Sequence, residues 1–137
     1  MIREEAEPAW NKIVSLGFSE YSKLTREQRV WFNIEPLLAF GLWEHYVNYG
    51  ADKNIDVIED LEYLNFQSIA NRLNEFNKIY FPEGVPKGPD ARQEHFDNFS
   101  KEQLSDDIDR MDEKFWELHE DLNNALTAHI NKTGIGK

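Results

Sequence analysis

A regular apolar repeat near the carboxyl end constrains the fold of this chain more than any other feature. Its members alternate four and three residues apart: Leu104, Ile108, Met111, Phe115, Leu118, Leu122, Ala125 and His129. Residues three and four apart share one face of an α-helix, and the preceding Ser100 and Gln103 form the signature of a capping box. The repeat therefore predicts one long helix with a face buried along roughly 40 Å, at 1.5 Å per residue.

Helical spacing continues through most of the remaining chain. Gly17 is expected to end a first helix near the amino terminus. Thr25 and Gln28 predict the start of the next helix, and Pro36 predicts a kink within that second helix. Residues 81–99 carry three of the five prolines and predict a loop. Because no stretch alternates as a β-strand does, the sequence predicts an all-α fold. We expect one compact domain over residues 1–137, with five to seven helices and a long amphipathic C-terminal helix.

The net charge of −11 is confined to two short segments. Residues 102–121 hold nine acidic and two basic residues, and residues 52–62 hold five acidic residues and one lysine. The other 106 residues contain 12 acidic and 12 basic residues, so they are neutral. This distribution disfavours direct binding to nucleic acid or to an anionic membrane, and it favours a basic partner.

Most of the charge of the first segment falls in one line on the predicted last helix. This acidic row consists of Glu102, Asp106, Asp109, Glu113, Glu117 and Glu120. We expect Asp107, Asp112 and Asp121 to widen it. Like charges four residues apart destabilise a helix by roughly 0.2–0.5 kcal/mol per pair, so folding alone does not require the row. Two interpretations stay open: a solvated helix face, or a surface that displays carboxylates at spacings comparable with those of nucleic-acid phosphates.

The second segment contributes a second acidic group, which consists of Asp56, Glu59, Asp60 and Glu62. We expect it to provide a further line of partner-binding carboxylates. The sequence does not determine whether it shares a face with the acidic row.

Signatures of catalysis and of metal binding are missing from the sequence. The chain has no cysteine, and none of the residues three before its four histidines is acidic, as the Glu-x-x-His pairs of a di-iron bundle require. Glu44 and His45 are candidates for an acid–base pair, but adjacent helical residues point about 100° apart. We therefore predict a protein without enzymatic activity, cofactor or metal.

Two further features bear on location and on binding. No stretch resembles a secretory signal, and the apolar run at residues 36–43 is too short to span a bilayer, so we expect a soluble cytoplasmic protein. Phe115 and Trp116 are neighbours, and only one of them fits the centre of the apolar repeat. Trp116 is therefore expected to cover its flank or to form part of a partner surface.

Three features between residues 24 and 130 belong together: Gly41 followed by Tyr46 and Asn48, the loop YFPEGVPKGPD, and a closing helix with Met111, Asp112 and Phe115. Through these features the chain resembles a bacterial domain-of-unknown-function family that is typified by a DNA-mimic protein. This chain has Ala-Phe-Gly at residues 39–41, where the family prefers Asn-Gly-Gly. The resemblance implies an acidic, all-α, dimeric protein that occupies the DNA-binding surface of a transcriptional regulator.

The charge and the resemblance together predict a DNA mimic that binds a basic DNA-binding protein, such as a transcriptional regulator, and blocks its DNA site. The acidic row and the second acidic group are the predicted contact residues. The alternative is an immunity-type or adaptor module that recognises one partner by shape, without DNA mimicry. Such a module would bind mainly through aromatic residues such as Trp43 or Trp116.

Overall fold

Eight α-helices and three short 3-10 turns account for most of residues 3–137, which are the residues that the computed structural model describes. The helices are α1 (Glu7–Ser19), α2 (Arg26–Phe40), α3 (Leu42–Val47), α4 (Asn54–Tyr63), α5 (Gln67–Tyr80), α6 (Pro89–Phe96), α7 (Lys101–Glu117) and α8 (His119–Thr133). The 3-10 turns are Arg3–Ala6, Tyr21–Lys23 and Tyr49–Lys53. No strand occurs within these residues, so the all-α prediction is confirmed.

The helix count exceeds the predicted five to seven for two reasons. The stretch at residues 81–99 is not entirely a loop, because α6 begins at Pro89. Proline is well suited to the first position of a helix, where its missing N–H has no intrahelical partner in any case. In addition, the predicted long last helix is divided into α7 and α8 by one non-helical residue, Leu118.

The break at Leu118 changes how the apolar repeat is buried. Leu118 has φ −101° and ψ 7°, and its N–H is shared between the carbonyls of Lys114 and Phe115. On α7 the buried members are Met111 and Phe115, as predicted. On α8 the fully buried residues are Leu122, Leu126 and Ile130, with His129 nearly so, whereas Ala125 is only partly buried. The two halves also have different neighbours, since α7 packs mainly on α5 and α8 on α2.

Helix α2 lies at the centre of the packing and contacts α1, α3, α4 and α8. Both hydrogen bonds of the predicted capping box are present at its start: Thr25 Oγ1 accepts from the Gln28 N–H at 3.2 Å, and Gln28 Oε1 accepts from the Thr25 N–H at 3.0 Å. Pro36 lies inside α2, and the helix continues to Phe40. Two of the helices that α2 contacts, α3 and α8, are also neighbours of α7, which carries most of the acidic surface described below.

Gly17 does not end α1, which continues to Ser19. It is buried, and a Cβ atom added there would lie 2.3 Å from Cε1 of Phe32 on α2. Gly17 is therefore needed for the close approach of α1 and α2.

We expect Gly17→Ala to lower the free energy of unfolding by about 1–3 kcal/mol, because the ring of Phe32 must move to admit a methyl group. Urea denaturation of the variant measures the effect. Ser15→Ala, at an exposed position of the same helix, serves as the control and is expected to stay within about 0.5 kcal/mol of the parent protein. If Gly17→Ala were as stable as the parent protein, Gly17 would not be needed for the close approach of α1 and α2.

Candidate partner-binding surface

The acidic row lies on the exposed side of α7 and extends onto the first turn of α8. Glu102, Asp106, Asp109, Glu113 and Glu117 are on α7, and Glu120 is on α8. All six side chains are exposed. The five on α7 are carried by one 17-residue helix, about 25 Å long. Because the helix breaks at Leu118, the straight part of the acidic row ends at Glu117 and is shorter than the sequence predicts.

Few basic side chains compensate the charge of the acidic row. Lys114 lies 3.3 Å from Glu117, in an i,i+3 ion pair at the surface. Within residues 3–137, the other five members have no ion pair with a lysine, arginine or histidine. Their negative charge is therefore available to an incoming partner.

Two of the three acids predicted to widen the row are instead directed into the protein. Asp107 accepts a hydrogen bond of 2.5 Å from the hydroxyl of Tyr80 on α5. Asp112 receives the backbone N–H groups of Leu42 and Trp43 at the start of α3, and burial raises the pKa of its carboxyl. Its Oδ1 is buried without a hydrogen-bond partner among the described residues. Asp107 and Asp112 thus join α7 to α5 and α3, and only Asp121 remains exposed.

The second acidic group does not form a comparable open surface. Asp60 is fully buried, so the prediction that it contacts a partner is wrong. Its carboxylate accepts hydrogen bonds from Arg29 Nη2 at 2.7 Å and from Asn33 Nδ2 at 2.9 Å, both on α2. Burial raises the pKa of Asp60, and the bonds from Arg29 and Asn33 oppose that rise.

Two further members of the second acidic group are paired with the same helix. Glu59 lies 2.9 Å from Nη1 of Arg26. Asp56 accepts from the hydroxyl of Tyr21 at 2.8 Å and lies 3.6 Å from Arg29. Only Glu62 is exposed with no ion pair among the described residues. The charge of α4 therefore serves mainly to attach α4 to α2.

The two acidic segments are not brought together by direct helix packing. Helix α5 packs against both α4 and α7, whereas α4 and α7 have no comparable contact with each other within the described residues. Asp52 is the remaining acid of residues 52–62. Its charge is also compensated, because it lies 2.6 Å from the fully buried Arg92. Uncompensated negative charge is consequently concentrated on α7 and the start of α8.

An exposed aromatic cluster borders the acidic row. This aromatic junction consists of Gly41, Trp116 and His119, with Phe40 next to Gly41 in the sequence, and lies where the end of α2 meets α7 and α8. Trp116 is 52% exposed and Phe40 is 64% exposed. The ring of Trp116 stacks on His119 with a centroid distance of 5.1 Å and an interplanar angle of 21°. The expectation that Trp116 lies off the centre of the apolar repeat is confirmed, since Phe115 occupies that centre and is fully buried.

Sequence reasoning missed the part that α2 plays in the aromatic junction. Gly41 has φ +89°, and a Cβ added there would lie 3.1 Å from Cζ2 of Trp116. His119 Nε2 lies 2.8 Å from the carbonyl oxygen of Leu38, a contact across 81 positions of the chain. A phenylalanine directly before a glycine was the one local signal in the sequence, and it does not identify Trp116 as the neighbour.

Glu44 and His45 have separate hydrogen-bond partners. Glu44 Oε2 accepts from Asn48, whereas His45 Nε2 is 3.0 Å from Oδ1 of the buried Asn54. Neither residue lines the small clefts beside Met111 and Ile13 that the described residues form. The geometry therefore offers no support for an acid–base pair at this position.

Residues 3–137 also bear on two other kinds of site. No three histidine, aspartate or glutamate side chains there converge in a way that could hold a metal ion. None of the helices in the same residues is both long enough and apolar enough to cross a membrane.

Comparison with known proteins identifies one family. A family model described as DMP19-like protein matches residues 22–133. The match includes α2 to α8, and with them the whole acidic row and the aromatic junction. No curated protein and no solved structure matches the chain.

Proposed function

The chain belongs to the DMP19-like protein family, and we propose that it is a DNA mimic that binds a basic DNA-binding protein and blocks its DNA site. The partner is expected to be a transcriptional regulator. The resemblance of the sequence to a family typified by a DNA-mimic protein supports this class of partner.

The observation that carries the proposal is the uncompensated charge of the acidic row. Five exposed carboxylates that have no ion pair within residues 3–137, together with Glu117, project from adjoining helical segments. Along α7 they advance by about 4.5–6 Å at each step, because they are three or four residues apart. A protein that neutralises phosphates with lysine and arginine can pair with carboxylates arranged in this way.

The second acidic group has a smaller part in this proposal than the sequence suggested. Asp60 is buried, and Asp56 and Glu59 are paired with arginines of α2. Glu62 is the member of the group that stays exposed and unpaired within the described residues. The proposed contact surface is therefore the acidic row alone.

A charge-reversal variant tests the proposal. Asp106, Asp109 and Glu113 are replaced together by lysine, which changes the net charge from −11 to −5. The assay measures displacement of a fluorescein-labelled operator duplex from a basic transcriptional regulator of the source organism. We expect the variant to displace the duplex about 10- to 100-fold less effectively, because repulsion replaces attraction at three central positions.

A matched variant separates the position of the charge from its amount. Glu5, Glu83 and Glu94 are exposed residues outside α7, and their replacement by lysine changes the net charge equally. This variant should displace the duplex almost as well as the parent protein, and displacement by the parent should weaken as salt is raised. If no regulator in the source genome releases its operator, or if both variants behave alike, the proposal of mimicry is wrong.

The alternative function is a protein-binding module without DNA mimicry, and the aromatic junction is the observation that favours it. Half-exposed tryptophans are common centres of binding energy in protein interfaces. Such a module predicts a complex that is insensitive to salt and to the charge reversal.

The family resemblance also implies a homodimer, and this stays a prediction. Sedimentation velocity of the full chain would measure its oligomeric state.

A further inference from the structure

The aromatic junction presents a tryptophan ring that is rigidly supported from one side. His119 stacks on one face of the Trp116 ring, and His119 is itself placed by the carbonyl of Leu38. Phe115 meets the ring edge-on at 80°, and Gly41 passes close to Cζ2. Trp116 is nevertheless 52% exposed, so a large part of the ring is open to solvent. The ring is thus positioned before any partner arrives.

A carboxylate of the acidic row lies beside this open ring. Glu113 precedes Trp116 by three residues on α7, so the two side chains share one face of the helix. Glu113 is exposed and has no ion pair within residues 3–137. Glu117 and Glu120 add negative charge at the end of α7 and at the start of α8. An aromatic face bordered by negative charge attracts a cation that is also planar and weakly hydrated.

The guanidinium group of arginine has these properties. It stacks on aromatic faces and pairs with carboxylates through two parallel hydrogen bonds, whereas the ammonium group of lysine is compact and strongly hydrated. We propose that Trp116 is the docking point for an arginine side chain of the basic partner, stacked on the open ring face and paired with Glu113. The inference rests on the proposed function, and it adds a preference for arginine over lysine at one end of the acidic row.

A second copy of this chain is a poor occupant of the same surface. In a symmetric dimer the same patch meets itself, so the acidic row of one copy would face that of the other. Glu113 and Glu120 have no ion pair within the described residues that would relieve the repulsion. Charge complementarity therefore favours a basic partner at the aromatic junction, and a homodimer would use another face.

Two labelled peptides probe the preference for arginine. Fluorescein-labelled nona-arginine and nona-lysine are titrated with the full chain at a fixed salt concentration, and fluorescence anisotropy reports the dissociation constants. Nona-arginine is expected to bind more tightly than nona-lysine at any carboxylate, because arginine forms paired hydrogen bonds. The test therefore compares how much Trp116→Ala changes the dissociation constant of each peptide. We expect this variant to weaken binding of nona-arginine about fivefold and of nona-lysine less than twofold.

Three further variants keep the result interpretable. Trp116→Leu retains apolar packing on His119 without the aromatic face and should reproduce the effect of the alanine variant. Trp116→Phe should restore part of the preference. Phe18→Ala removes another exposed aromatic residue, 72% exposed and located on α1, and should change neither dissociation constant.

The possible outcomes separate this inference from the proposed function. If Trp116→Ala weakens both peptides equally or neither of them, or if it converts a dimeric parent into a monomer in sedimentation velocity, arginine docking is overturned. In that case operator displacement by the acidic row can still stand. If the arginine preference is lost as expected but the charge-reversal variant displaces the operator normally, the docking site stands and the mimicry fails.

Discussion

Replacement of Arg92 by methionine is expected to lower the free energy of unfolding by about 3–5 kcal/mol, the range for breaking a buried ion pair by removing one partner. Arg92 is fully buried although it carries a full charge. Its side chain joins parts of the chain that are distant in sequence. Its removal leaves several polar groups without a donor.

The hydrogen bonds of Arg92 explain the size of this effect. Its Nη1 donates to Asp52 at 2.6 Å and to the carbonyl of Pro86 at 2.8 Å. Its Nε donates to the carbonyl of Tyr46 at 2.7 Å, and Nη2 donates to that of Asn48. The residue therefore attaches α6 and the loop before it to the end of α3. A methionine fills a similar volume but satisfies none of these acceptors.

Urea denaturation compares this variant with two others. Arg110→Met removes an exposed arginine of α7 and should change stability by less than about 0.5 kcal/mol. Arg92→Lys keeps the charge but lacks the planar fork, so it should recover only part of the loss. A loss below about 1 kcal/mol in the methionine variant would show that the buried hydrogen bonds of Arg92 contribute little to stability.

Acidification below pH 6.5 is expected to destabilise the protein through His45. The pKa of this histidine is lowered to about 4, chiefly by burial and also by nearby Arg92, while the hydrogen bond with Asn54 and the charge of Asp52 oppose the decrease. The unfolded chain, with an ordinary pKa of about 6.5, therefore binds the proton more readily than the folded protein does. The contribution of neutral His45 is complete above pH 6.5 and is lost as the pH falls towards 4.

The expected loss is about 3 kcal/mol between pH 6.5 and pH 4, since each pKa unit corresponds to about 1.4 kcal/mol. Urea denaturation at several pH values measures it. His45→Gln can keep a hydrogen bond to Asn54 but cannot take up a proton, and it should show a correspondingly flatter dependence on pH. Parallel curves for the variant and the parent would contradict a neutral, buried His45.

Local signals in the sequence predicted the local structure well. The capping box at Thr25 and Gln28 is present in full, because it involves only groups three residues apart. The apolar repeat correctly placed Met111 and Phe115 in the core, since helical spacing alone decides which side chains share a face. The break at Leu118 was not predictable from the repeat, because it accompanies the packing of α7 on α5 and of α8 on α2.

The acidic segments show most clearly where sequence reasoning ends. Residues 52–62 and 102–121 look alike in the sequence, as short segments rich in acids and poor in bases. In the structure, Arg26, Arg29 and Arg92 neutralise most of residues 52–62 from positions about 30 to 40 residues away. No lysine or arginine of the described residues approaches most of the acidic row in the same way. This difference supports the acidic row as the proposed partner surface.

The sequence by itself determined the helical class, the main capping signals and the location of the excess charge, because these depend on residue type and on spacing along one element. Only the tertiary structure decided which carboxylates remain free, where the last helix divides, and that Trp116 is supported by His119 and Gly41. These features depend on contacts between residues far apart in the chain, and one-dimensional spacing contains no information about such contacts.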